Sequence, residues 1–231
     1  MKQKAKKADE NKAAFFAFPD FAVETELIRQ GCKFIAGFDE AGRGALAGPL
    51  SVGCVVYDAE FILSPDKLIF STVNDSKRLS QARRRQSLEY IKSHALFCGV
   101  KLIPHKTIDK ININNATELA VNMLIDEMPF IPDVVIMDGN FKFNTSVKFI
   151  SIKRGDQTSL SIASASIAAK VRRDYIMDRM ALLFPEYGFA AHKGYGTKTH
   201  LQAIANFGPA QIHRKSYKPL KGMIADNENN K

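Results

Sequence analysis

Past a lysine-rich opening, the first helical pattern of apolar positions spans residues 21–30 and stops at Gly31. Phe34-Ile35-Ala36-Gly37-Phe38 then reads as a strand, and residues 50–57 (Leu-Ser-Val-Gly-Cys-Val-Val-Tyr) as a second, β-rich one. Ser80 has the chemistry of an N-cap for a helix to about His94, and residues 96–103 return as a strand. Asn115 is expected to cap a further helix ending near Met128. Val134-Val135-Ile136-Met137 is a continuous apolar run, the pattern of a strand buried on both faces, and residues 147–152 predict one more strand. A long helix is expected over residues 159–183, built largely from Ser, Ala and Ile, which permits close packing on its neighbours. Pro185 and Gly188 break it, residues 192–197 form a turn-rich loop, and Thr199 opens a last helix closed near Gly208-Pro209. Alternating strands and helices place the chain in the α/β class, with the early meander of strands making the sheet mixed.

The 231 residues suit one substantial domain, expected at residues 21–209. A basic flexible tail is expected at 1–20, and a basic then polar tail that frays at 210–231. At 45% hydrophobic residues a sizeable core is available, and no apolar run is long enough to span a bilayer. The opening lacks the apolar block of a secretory signal. Three scattered cysteines, Cys32, Cys54 and Cys98, suggest neither a zinc site nor a disulfide framework and fit a reducing cytoplasm. The net charge of +9 favours a polyanionic partner, nucleic acid being the commonest. Residues 1–12, with five lysines against two acids, account for part of it; a second basic stretch, 77–85, opens the helix after Ser80.

Chemistry is concentrated where strands end. Asp39 and Glu40 close the first strand, directly before Gly42-Arg43-Gly44. Asp138 closes the run at 134–137, and Asp156 lies between a strand and the long helix. Ligands of open α/β sheets gather beyond such strand ends. Carboxylates held together repel one another, and divalent cations remove that penalty. An all-oxygen set suits Mg2+ or Mn2+, and no histidine-rich set points to zinc. Asp109, Asp126, Asp133 and Asp174 read as solvated or ion-paired acids. A glycine-flanked arginine suits close approach to a phosphate or sugar.

Five motifs in order carry a resemblance: Gly37-Phe38-Asp39-Glu40-Ala41-Gly42-Arg43-Gly44 with Leu46-Ala47-Gly48-Pro49; Asn74-Asp75-Ser76-Lys77-Arg78-Leu79-Ser80; Met137-Asp138-Gly139; Gly155-Asp156 with Ile162-Ala163-Ser164-Ala165-Ser166-Ile167-Ala168-Ala169-Lys170; and His192-Lys193-Gly194-Tyr195-Gly196-Thr197 with His200. Over residues 34–207 the chain resembles bacterial ribonuclease HII, a type 2 ribonuclease H. The resemblance implies a ribonuclease H-like mixed sheet flanked by helices, with a helical C-terminal extension. It implies hydrolysis of the RNA strand of RNA/DNA hybrids and cutting 5′ of single ribonucleotides embedded in duplex DNA. The products would be a 3′-hydroxyl and a 5′-phosphate, as in removal of misincorporated ribonucleotides and RNA primers. Asp39, Glu40, Asp138 and Asp156 match the family's metal-binding acids for two Mg2+ or Mn2+ ions, with Asp39 shared between them. Gly42, Arg43 and Gly44 match the element reading the 2′-hydroxyl, largely through its backbone. Tyr195 matches the tyrosine stacking on the following deoxyribose. Lys77 and Arg78 are expected on phosphates, with Ser76 adding a hydroxyl contact. His192 and His200 are left as structural or phosphate-facing. The family also implies a monomer. No clamp-binding peptide is recognised at the C-terminus, nor the large N-terminal domain of ribonuclease HIII.

Two other classes remain open on the residues. A non-catalytic nucleic-acid-binding protein would use the same basic charge and Gly42-Arg43-Gly44, but gains nothing from four acids near a polyanion. A DNA-specific nuclease on a related fold would cut regardless of the 2′-hydroxyl.

Overall fold

A computed structural model of the chain describes residues 18–73 and 79–222. The expected contacts of Ser76, Lys77 and Arg78, most of the expected N-terminal tail and residues 223–231 lie outside the described residues. Helix α1 (Ala22–Arg29) leads into β1 (Ile35–Ala41) and β2 (Leu50–Val56). Two short helices follow, α2 (Ala59–Leu63) and α3 (Leu68–Thr72). Next come α4 (Gln81–His94), β3 (Phe97–Ile103), α5 (His105–Glu127), β4 (Val134–Asp138) and β5 (Lys148–Ile152). A 3-10 turn (Gly155–Gln157), the long α6 (Leu160–Leu183), α7 (Phe189–His192) and α8 (Lys198–Phe207) complete the order.

The five strands run β3-β2-β1-β4-β5. The first three form an antiparallel meander, while β1, β4 and β5 are parallel, so the sheet is mixed as expected. Strand alternation sends Ala36, Phe38, Val52, Cys54 and Met137 to a core with Ala116, Ala120, Val121 and Leu124 of α5. The opposite face carries Ile35, Val134, Ile136 and Val55 against Ile162, Ala165 and Ile167 of α6.

Helix α6 lies unusually close to the sheet because both surfaces are small. A Cβ on Gly37 would stand 2.5 Å from Ser161, and one on Gly53 would stand 2.2 Å from the Ala165 carbonyl oxygen. Ser159 caps this helix by accepting from the Ile162 N–H at 3.2 Å, and Ser80 caps α4 as expected, accepting from Arg83 N–H at 3.3 Å.

Two expectations are corrected. The helix expected from Asn115 begins at His105 and kinks at Asn112, which has φ 68°. The Asn112 carboxamide accepts from the N–H groups of Asn114 and Asn115, at 2.9 and 3.1 Å, and so restarts the helix itself. Asn112, Asn114 and Asn115 are all plausible caps by residue type, and only the backbone distinguishes them. The segment from Ala210, expected to fray, instead packs on the body through residue 222. His213 and Leu220 are buried there, Arg214 is fully buried, and His213 bridges Ala47. Asp109 secures this segment, accepting from the Lys215 and Ser216 N–H groups at 2.9 Å each. At the other end, Asp20 belongs to the body rather than to a tail, because its carbonyl accepts from Leu160 N–H at 2.8 Å.

Candidate active site

The three strand-end acids meet. Asp39 near the end of β1, Asp138 at the end of β4 and Asp156 in the 3-10 turn each offer a carboxylate oxygen, all within 4.8 Å of one another. The parallel pairing of β1 with β4 brings the first two together. The Asp138 carboxylate accepts from Gly155 N–H at 2.6 Å, which ties the third to the second. Glu40 falls outside that group, since adjacent residues of a strand point to opposite faces.

Asp39 is only 6% exposed and Asp156 5%. Burial pushes the Asp39 carboxyl well above the usual carboxylate range, and the charges of Glu40 and Asp138 push it further. Two donors oppose this by favouring the anion: the Ser166 hydroxyl and the Glu40 N–H, the latter at 2.7 Å. Ser166 reaches Asp39 because the residue opposite Asp39 in the β1–β2 ladder is Gly53, where α6 makes its closest approach. A buried, mutually repelling, all-oxygen donor set fits a divalent cation of the Mg2+ or Mn2+ type. Among the described residues the group contains no histidine or cysteine.

The turn after β1 stands beside these acids. Gly42 has φ 86°, and a Cβ there would lie 1.8 Å from Arg173 Nε, so both backbone and packing require glycine. Gly44 differs: its φ is ordinary and a Cβ would meet nothing within 4 Å. The Arg43 side chain turns toward α5, donating to Thr117 Oγ1 at 3.1 Å and to Asn114 Oδ1, with its guanidinium 5.0 Å from the Phe141 ring centre. What the turn presents at Gly44 is therefore main chain. Tyr195 arrives from the loop before α8, 38% exposed, and its hydroxyl accepts from Gly42 N–H.

Arg173 is a residue that sequence reasoning missed. Fully buried, it donates to the carbonyls of Pro49, Lys193 and Ala47 at 2.9, 2.8 and 3.1 Å. It thereby locks the turn after β1 to the loop carrying Tyr195. Burial pulls its pKa down to about 10. Ser166 was within sight as part of a small-residue motif, whereas nothing in the spacing marked Arg173. Of the basic stretch, Arg83 and Arg85 are exposed, but Arg84 turns inward to pair with Asp174 at 3.2 Å. His200 is buried and structural, donating through Nδ1 to the Tyr195 carbonyl at 2.9 Å. Asp174 is ion-paired as expected, Asp133 accepts from the N–H groups of Lys33 and Phe34, and Asp126 is exposed. Among the described residues no helix is long and apolar enough to cross a membrane.

A family model described as Ribonuclease HII matches residues 36–220, which includes the packed segment after α8. The chain is 42% identical over 204 residues to a ribonuclease HII of Caldicellulosiruptor saccharolyticus, covering 88% of this chain and 95% of that one. It is 40% identical over 223 residues to that of Bacillus cytotoxicus, covering 96% and 82%. In three dimensions it is similar to the ribonuclease H2 of Pyrococcus horikoshii OT3, with a TM-score of 0.71, 22% identity, and 85% and 100% of the two chains covered. That last likeness speaks to the fold alone. On the sequence matches, the chain belongs to the ribonuclease HII family and is a ribonuclease H endonuclease, a hydrolase.

Proposed function

We propose that this enzyme hydrolyses the RNA strand of RNA/DNA hybrids and cuts 5′ of a single ribonucleotide embedded in duplex DNA, leaving a 3′-hydroxyl and a 5′-phosphate. The observation that carries this reading is the junction of the acid group with the Gly42-Arg43-Gly44 turn. Asp39 lies three residues before Gly42 on one continuous segment, so the group that holds the scissile phosphate and the group that meets the sugar are positioned together.

Asp39, Asp138 and Asp156 would hold two Mg2+ or Mn2+ ions, with Glu40 joining from the far side of the strand. When bound, such ions activate a water and stabilise the leaving oxygen of a phosphodiester. Around them the chain's own residues have separable tasks. Ser166 would orient Asp39 and favour its anion. Gly44 offers main chain at a point where no side chain interferes, and fixed main-chain groups suit a 2′-hydroxyl, which both donates and accepts. Tyr195 provides a ring for the next sugar, leaving little room for a second 2′-hydroxyl there. Lys77, Arg78 and Ser76 would meet phosphates along the duplex, and the lysine-rich N-terminal residues would add salt-sensitive affinity. We place the enzyme in the cytoplasm as a monomer, removing misincorporated ribonucleotides and RNA primers.

The test is a labelled DNA duplex with one ribonucleotide, incubated with Mg2+ or Mn2+ beside an all-DNA duplex. A single metal-dependent cut 5′ of the ribose, absent from the control, is expected. Equal cutting of both would make it a DNA nuclease, and tight binding without any product would make it a binding protein.

A further inference from the structure

The segment after α8 holds a fully buried arginine for which no ion pair is found among the described residues. Burying a cation away from carboxylates costs stability unless its N–H groups are well used. Arg214 uses Nε and Nη1 on main chain of the turn after β1, while its buried Nη2 has no partner among the described residues. Its Nε donates to the Gly48 carbonyl at 3.1 Å, and its Nη1 donates to the Arg43 carbonyl at 2.8 Å. The Tyr217 hydroxyl donates to the same Arg43 oxygen at 2.8 Å, and the Arg214 guanidinium lies 5.0 Å from the Tyr217 ring centre. Two donors thus converge on one carbonyl, both from the segment after α8.

The Arg43 carbonyl shares its peptide plane with the Gly44 N–H. The bond is trans, so the two groups point in opposite directions. A carbonyl drawn inward to a buried arginine therefore directs the Gly44 N–H outward. Gly44 itself is exposed, and a Cβ there would meet nothing within 4 Å. Arg173 secures the far end of the same turn through the Ala47 and Pro49 carbonyls, which leaves the Arg43–Gly44 peptide to Arg214 and Tyr217.

We propose that Arg214 and Tyr217 are positioning residues for ribose recognition, holding the Arg43–Gly44 peptide so that the Gly44 N–H is a fixed donor to the 2′-hydroxyl oxygen. The inference rests on the ribose-reading function proposed above and deepens it. It makes the C-terminal segment part of the specificity device and not merely of the core.

Removing Arg214 would strip the Gly48 carbonyl of its side-chain donor and open a cavity in the core, so the test uses Tyr217→Phe, which keeps the ring and deletes one of the two donors to the Arg43 oxygen. Both the parent and the variant carry Asp138→Asn so that the duplex is not consumed. Kd is measured for a DNA duplex with one ribonucleotide and for the all-DNA duplex, together with Tm. The parent is expected to prefer the ribonucleotide duplex. Tyr217→Phe should shrink that preference about fivefold, the worth of one hydrogen bond of ~1 kcal/mol, by weakening the ribonucleotide complex alone. An unchanged ratio, including one in which both Kd values rise with a lowered Tm, overturns the positioning role while leaving the ribose reading intact. A parent that binds both duplexes equally overturns the ribose reading and the inference with it.

Discussion

The Tyr195 hydroxyl accepts a hydrogen bond from the Gly42 N–H at 3.1 Å, across 153 residues of chain. The stacking ring and the sugar-facing turn are therefore one unit, and Arg173 reinforces it with its guanidinium 5.3 Å from the Tyr195 ring centre. The hydroxyl and the ring then have separable effects. Tyr195→Phe loses one neutral hydrogen bond and should lower kcat/KM on a single-ribonucleotide duplex about fivefold. Tyr195→Ala also loses the stacking surface and should cost about a hundredfold. Steady-state cleavage of the two variants side by side checks this, and near-normal rates for both would remove Tyr195 from the site.

Gly44 gives the sharpest separation of folding from function. Nothing in the protein occupies the space a methyl group would enter, and its backbone is one that alanine adopts readily. Gly44→Ala should therefore change stability by no more than about 0.5 kcal/mol. A methyl group between turn and sugar should nevertheless cut cleavage about a hundredfold, the scale of a misplacement of about 1 Å. Thermal unfolding and kcat/KM measured on one preparation decide it. An active, stable Gly44→Ala enzyme would mean that the substrate does not approach here.

The acid group predicts opposite effects on stability and activity. Asp39 is a buried carboxylate facing other carboxylates, and its neutral isostere keeps the acceptor that Glu40 N–H and Ser166 use. In chelator, Asp39→Asn should stabilise the protein by about 1 kcal/mol, or roughly 2–4 °C in Tm, because it removes an uncompensated buried charge. The same substitution should reduce cleavage by about a thousandfold or more in Mg2+ or Mn2+, and Asp138→Asn should do likewise. A destabilised Asp39→Asn protein in chelator would show that the carboxylates are not in conflict.

The parts of this site legible in the sequence are those that lie on regular elements. Asp39 and Asp138 could be placed because β1 and β4 have clear apolar runs and both acids follow directly. Their meeting requires only that the strands be neighbours. The restart of α5 at Asn112 was hidden by three asparagines of equal capping power. Arg173 and Arg214 were illegible for a different reason. Their partners are carbonyl oxygens, which every residue has, so no complementary side chain marks either one. Residues 210–222 look polar because much of their length is exposed. What anchors them is a few side chains, His213, Arg214 and Leu220, whose burial depends on loops more than 150 residues earlier or on a separate cluster.

Acid should loosen the same segment through a histidine pair. His200 on α8 and His213 face each other with their Nε2 atoms 3.0 Å apart, both buried. The Nδ1 of each ring lies against a carbonyl oxygen, that of His200 against Tyr195 at 2.9 Å and that of His213 against Ala210 at 3.2 Å. Burial pulls both imidazoles below their ordinary range, and His213, with His200 beside it, falls to about 4. The unfolded chain protonates His213 near pH ~6.5, whereas the folded chain resists doing so until about pH 4. The unfolded state therefore binds more protons in that window, and stability falls as pH drops through it while being unaffected above it. The loss assignable to His213 should be about 1–3 kcal/mol between pH 6.5 and 4. Denaturant unfolding of the wild type and His213→Phe across that range checks the sign: the variant should show the shallower decline toward acid. Parallel curves would mean that the pair exchanges its protons as freely in the folded chain as in the unfolded one.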